Sequence, residues 1–177
     1  MTTQTADSMK QHILGTYAMT LEQARKMVDA VPCERFAEQP FEGSKPAAWV
    51  LTHLCLGSGM MVGYFDNPTS ADAGLGGVPE AWAPIAMPGS EVSYDRGIYA
   101  TKDVLLAELE RIHTELASRM ENASPELLAT EFPHPEYRAF FPTIGSAAFY
   151  LMAYHEGYHL GQLSAWRRGA GFGPLAD

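Results

Sequence analysis

Four stretches of the chain repeat apolar residues at intervals of three and four, and none shows a convincing two-residue alternation. This constrains the fold most, because a 3.6-residue period buries one face of a helix whereas a half-buried strand needs a period of two. In the first stretch Met9, Ile13, Tyr17, Leu21, Ala24, Val28 and Val31 keep the period until Pro32 stops it. The second runs through Trp49, His53, Leu56, Met60 and Tyr64. Pro46 suits its first turn, where a missing N–H has no partner to lose, and Ser44 is the expected cap. The third carries Leu105, Leu109, Ile112, Leu116 and Met120 between a Thr101 cap and Ser124-Pro125. The fourth starts at Thr143 and carries Ile144, Ala148, Leu151, His155, Tyr158 or His159, Gln162 and Trp166. Arg167 and Arg168 suit its negative end, and Gly169 and Gly171 terminate it. The spacing predicts helices over about 8–31, 46–65, 102–122 and 143–168, hence an all-α four-helix bundle in a single domain over 1–177.

The segment 66–100 has no such period and is rich in glycine and proline. A connection this long lets the second and third helices run parallel, and Trp82, Ile85 and Met87 are expected to pack part of it onto the body. Residues 126–142 read as a loop anchored by Tyr137, Phe140 and Phe141.

Twelve basic against 21 acidic residues give a formal charge of −9, which repels phosphate backbones and anionic lipid and argues against nucleic-acid or membrane partners. No stretch reads as the ~20 apolar residues that span a bilayer. The polar N-terminal residues lack the apolar run of a signal peptide, so a cytoplasmic location is expected. Cys33 and Cys55 form neither a CxxC pair nor a disulfide framework; Cys55 is expected in the core and Cys33 at the surface.

Three histidines stand where the pattern calls for apolar side chains: His53 in the second helix, His155 and His159 in the fourth. Positions i and i+4 lie about 6 Å apart along a helix and about 40° out of line, so both imidazoles of the fourth helix can reach one ion. Burying imidazoles without partners is costly, and a divalent metal removes that cost by accepting a lone pair from each. Three protein ligands leave an open coordination position, the arrangement of a reactive rather than a structural zinc site. His12, His113 and His134 have no partner at ligand spacing and read as ordinary polar residues, His113 at the border of the core.

His155-Glu156-Gly157-Tyr158-His159 matches the H-E-x-x-H pattern of zinc proteases. The extended pattern requires Gly at 162 and His at 165, where Gln162 and Ala165 stand, and no downstream acidic ligand precedes Asp177, so a peptidase is not expected. Glu156 points about 100° away from His155, which makes it a surface or interhelix hydrogen-bonding residue, with a catalytic base as the alternative. Gln162, one turn beyond His159, is placed to orient a ligand or a bound water. Tyr158 and Trp49 read as core walls, and Arg167 and Arg168 as a solvated helix end.

The run His155-x-x-x-His159-x-Gly161-Gln162, followed by Arg167-Arg168 and Gly169 to Gly171, resembles the last helix of the DinB/YfiT-like superfamily. Pro46-Ala47-Ala48-Trp49-Val50-Leu51-Thr52-His53-Leu54 resembles its second helix. The resemblance implies a bundle of up-down-down-up topology, often a homodimer, with a metal held by His53, His155 and His159. Zinc and nickel are the ions it implies. The activities it implies, all on small molecules, are metal-dependent transfers using low-molecular-weight thiols, a thiol-dependent isomerisation and hydrolysis. The alternative is a non-catalytic metal- or ligand-binding bundle. The glycine- and proline-rich insert departs from the family pattern and leaves the substrate open.

Overall fold

The computed structural model describes residues 3–175. Met1, Thr2, Ala176 and Asp177, which the single-domain reading included, lie outside the described residues. The helices are α1 (Thr3–Val28), α2 (Ala47–Asp66), the short α3 (Ala83–Ala86), α4 (Lys102–Asn122), the short α5 (Pro125–Ala129), α6 (Ile144–Phe149) and α7 (Glu156–Gly169). A wider π-helical segment, Tyr150–His155, joins α6 to α7 without a break. The fold is all-helical. Among the described residues the extended pairing is one isolated bridge, Glu131 to Thr143.

α1 and α2 each pack against both α4 and α7. Leu51, Leu54 and Leu56 of α2 and Leu105, Leu109, Ile112 and Leu116 of α4 share one core with Tyr17, Met152 and Trp166, all fully buried. α2 is buried along nearly its whole circumference. This corrects the expectation that no segment is apolar enough to cross a membrane: by length and hydropathy Ala47–Asp66 is, and 89% of its most apolar window is buried inside the protein. A helix with neighbours on every side has no solvent face and needs no polar one.

The helix ends differ in detail from the sequence reading. Ser44 does not cap α2; its hydroxyl is buried without a partner, and Pro46 occupies the capping position. Thr101 caps α4 by accepting from the Val104 N–H, and Thr143 with Ser146 forms a reciprocal capping box on α6. Ser124, read as closing the third helix, also caps α5 by accepting from the Leu127 N–H. Phe140, expected as an anchor, is 76% exposed, and Phe132 is the buried aromatic of that region. Cys33 is half-buried, its sulfur accepting from Arg96 at 2.9 Å. Arg167 is buried rather than solvated: it donates to the carbonyls of Met27, Phe172 and Gly173 and ties the chain end to α1.

The connector after α2 folds back onto that helix. Gly59 and Gly63 form a flat strip on which the backbone of 73–78 lies: a Cβ at Gly63 would overlap the Ala73 carbonyl oxygen and sit 2.8 Å from that of Gly74. Gly15 on α1, by contrast, faces open space. Gly63→Ala is therefore expected to destabilise the fold by about 1–3 kcal/mol through overpacking. Gly15→Ala is expected to stabilise it by about 0.5–1 kcal/mol through helix propensity. Urea unfolding of the two variants measures both, and equal effects would contradict the docking of the connector.

Candidate metal centre

α2 places His53 one turn after Trp49, whose indole stacks on the imidazole at 4.7 Å with the planes 11° apart. The connector reaches the same ring from the other side. The α3 turn ends at Ala86, and the carbonyl oxygen of Ala86 lies 2.6 Å from His53 Nδ1. A carbonyl can only accept, so Nδ1 carries the proton and Nε2 keeps its lone pair. His159 is set the same way, with Nδ1 2.9 Å from Gln162 Oε1. His155 ends the π-helical segment, and its Nε2 lies 3.0 Å from His53 Nε2.

The structure thus brings His53, His155 and His159 together, with one ring nitrogen from each within 4.8 Å of the others. The donor set fits a divalent ion. Two of the three lone pairs are directed by hydrogen bonds on the opposite nitrogen, the orientation metal-binding imidazoles ordinarily show. Nitrogens on a tetrahedral ion at about 2.0–2.1 Å stand roughly 3.3 Å apart, close to the His53–His155 spacing. His155 Nδ1 is buried without a partner, so this ring is the least fixed of the three.

Electrostatics keep the cluster uncharged. Burial and the neighbouring His159 and His53 push His155 down to about 3. Burial and His53 push His159 down to about 4, against the hydrogen bond that its Nδ1–H donates to Gln162 Oε1. His53 is also lowered, chiefly by burial. Neutral imidazole is the form that offers a lone pair.

His53 and His155 form one end of a cavity of about 530 Å³. Met60, Met87, Phe141 and Leu151 are among its walls, as are Tyr64, farther along α2, and His134 of the loop before α6. A larger depression, about 920 Å³, adjoins this cavity at Phe141 and Tyr150, lies between α1 and the 140–154 region and contains none of the three histidines.

Glu156 does not face the imidazole cluster. Its side chain is fully buried and turned to α4, where Oε1 lies 3.2 Å from His113 Nε2, while Oε2 has no partner. The ring of Tyr17 stacks on His113 at 3.8 Å, and the Tyr17 hydroxyl meets Ser58 at 2.8 Å. Burial and the Glu156 carboxylate hold Tyr17 far above its usual range, so the phenol stays protonated. The expectation of an ordinary His113 at the border of the core missed this pair; the sequence reading placed Glu156 at the surface or between helices, and the structure places it against His113 of α4. Tyr158 is 54% exposed and is not a core wall. Trp49 is buried and its outer face is covered by the Lys45 ammonium at 4.2 Å. His134, given no role from sequence, bonds Tyr64 at 2.8 Å; the two are 70 residues apart, and nothing in the local sequence announces the contact.

The depressed imidazoles make a sign-definite prediction for metal-free protein. Below the ordinary value of 6.5 the unfolded chain takes up protons that the folded cluster refuses until pH falls toward about 3. Lowering pH across this window therefore favours unfolding. In chelated protein the urea midpoint is expected to drop between pH 7 and pH 5, and His155→Gln is expected to flatten that drop. Parallel declines in both proteins would contradict the buried neutral cluster.

A sequence model of the DinB superfamily matches residues 16–163, a span that holds all three histidines. Among curated proteins nothing matches the chain, and among solved structures nothing matches it either. With most of its length covered by that match, the chain belongs to the DinB superfamily.

Proposed function

We propose that the chain is a metal-dependent enzyme acting on a small molecule, with His53, His155 and His159 as the ligands of one divalent ion, zinc or nickel. The observation that carries this reading is the arrangement of tautomers. Ala86 and Gln162 take the Nδ1 protons of His53 and His159, which leaves both Nε2 lone pairs free; His53 Nε2 lies 3.0 Å from His155 Nε2, and His53 and His155 line a cavity. When bound, such an ion supplies a Lewis acid with room for a further ligand, able to acidify water or a thiol. The protein's part is to hold the imidazoles neutral, to fix two of them from behind and to present the site to an apolar cavity. A low-molecular-weight thiol as co-substrate and a transfer reaction form one version of this reading, and hydrolysis the other. Glu156, engaged with His113, acts as a positioning residue in it, and Gln162 orients His159.

The proposed frame is one domain, a four-helix bundle running up, down, down, up. Contacts support these directions. Cys55 with Leu105 and Asp66 with Arg119 follow the same order along α2 and α4. Arg25 with Glu110 and Lys10 with Ala123 follow opposite orders along α1 and α4. His53 lies against His155, while Gly57 lies near Leu151, again opposite. A homodimer in the cytoplasm completes the proposal. The exposed Phe149, Tyr154 and Tyr158 on one helix support association, and light scattering at twice the chain mass is the expected result.

Elemental analysis of untagged protein is expected to give one ion per chain. His159→Ala is expected to lose it while circular dichroism stays helical. Gln162→Ala is expected to weaken binding roughly 10- to 100-fold, the usual effect of removing a partner behind a ligand. Thiols added to a cobalt-loaded sample are expected to change its visible spectrum, which separates a reactive centre from a non-catalytic binding site. Full metal content in His159→Ala would defeat the ligand assignment.

A further inference from the structure

The cavity beside the imidazoles has a second polar station that the metal centre does not use. Tyr64 follows His53 on the same helix by eleven residues, so the two backbone positions stand roughly 16 Å apart along the axis. At that far station the Tyr64 hydroxyl lies 2.8 Å from His134 Nε2, and His134 Nδ1 lies 3.3 Å from Glu136 Oε1. The order of donors follows from the chemistry. A carboxylate only accepts, so Nδ1 carries the proton; Nε2 then accepts, and the Tyr64 O–H donates to it. With its proton committed, the tyrosine oxygen is left with acceptor capacity. Phe132 packs edge-on against Tyr64 at 5.1 Å, and the His134 ring stands 88° to it, which holds the phenol in place. Between the two stations the walls are apolar, with Met60, Met61 and Met87 among them. Such side chains adapt to bodies of differing outline without offering hydrogen bonds.

We propose that this cavity binds an elongated amphiphilic small molecule, uncharged along its aromatic or methylene body, whose far end carries a hydroxyl or amine that donates to Tyr64. Its other end lies at the imidazole cluster; only that part rests on the reading of the cluster as a metal centre. The size agrees: about 530 Å³ is within the usual range for cavities that enclose one organic molecule. Tyr64 is a specificity-determining residue in this assignment, and His134 with Glu136 sets which way its proton points.

The test uses 4-propylphenol and its methyl ether, 4-propylanisole, which differ in the ability to donate one hydrogen bond. Binding is measured by calorimetry on chelated full-length protein, so that coordination of phenol to an ion plays no part. The phenol is expected to bind roughly three- to tenfold more tightly than the ether, the worth of one net hydrogen bond. Tyr64→Phe is expected to bring the ratio near one. His134→Ala is expected to lower it as well, because the freed hydroxyl can then donate to the ether oxygen. Leu151→Trp, which fills the cavity, is expected to weaken both probes. Equal binding of the two probes to the parent protein, a preference that survives Tyr64→Phe, or no binding of either overturns the proposal. Metal content of the same preparations before chelation judges the other reading separately. A preference without stoichiometric metal sinks the metal centre and keeps the amphiphile cavity, and metal without a preference does the reverse.

Discussion

A neutral imidazole taken out of water carries a donor on one nitrogen and a lone pair on the other, and each must be answered inside the protein. At His53 and His159 the donor is answered by oxygen atoms of Ala86 and Gln162, which leaves both Nε2 lone pairs free, that of His53 3.0 Å from His155 Nε2. Much of the architecture serves that arrangement. The Ala86 carbonyl stands where it does because the connector doubles back over α2, and it can do so because Gly59 and Gly63 leave no side chain in its way. The apolar character of α2 belongs to the same logic, since a helix covered by α4, α7 and its own connector has no face left for solvent.

The last helix meets this constraint twice, on two sides. His155 and Glu156 are adjacent in sequence, yet one meets His53 of α2 and the other meets His113 of α4. Successive residues of a helix diverge by about 100°, and the π-helical turn ending at His155 shifts which residues before it face inward. Met152 is fully buried while Leu151 lines the cavity, where a regular helix was expected to bury Leu151. The Glu156–His113 pair, covered by the Tyr17 ring, then fixes the rotation of the helix just after the wide turn. A buried carboxylate with one oxygen unpartnered contributes little to stability and more to register, because turning the helix away from α4 would cost it His113.

The all-helical class and the meeting of the three histidines were legible in sequence for one reason. Periodicity marks the inward face of each helix, and a polar residue on that face stands out against Leu56, Ile112 or Trp166. What was not legible falls into two kinds. Some contacts use groups with no side-chain signature, such as the Ala86 carbonyl or the backbone of 73–78 lying on Gly59 and Gly63. Others depend on a change of register that periodicity assumes away: in the wide turn Met152 is buried and Leu151 lines the cavity, where a regular stripe buries Leu151. Arg167 failed differently, since its position in the last turn suggested solvent while the chain beyond it folds back to supply carbonyls.

A division of labour between helices and connections follows. His53 and Tyr64 are both on α2, so the distance between the two polar stations of the cavity is set by a rigid element. Their partners come from irregular segments, Ala86 from the connector after α2 and His134 from the loop before α6. That loop is itself closed at its base, where Phe132 N–H donates to the Pro142 carbonyl and Ile144 N–H to that of Thr130. Changes in either irregular segment would therefore retune what the cavity accepts without moving the helices that define its length. Substitutions in those irregular segments are then expected to disturb the Ala86 or His134 contacts before they disturb the spacing of His53 and Tyr64 along α2.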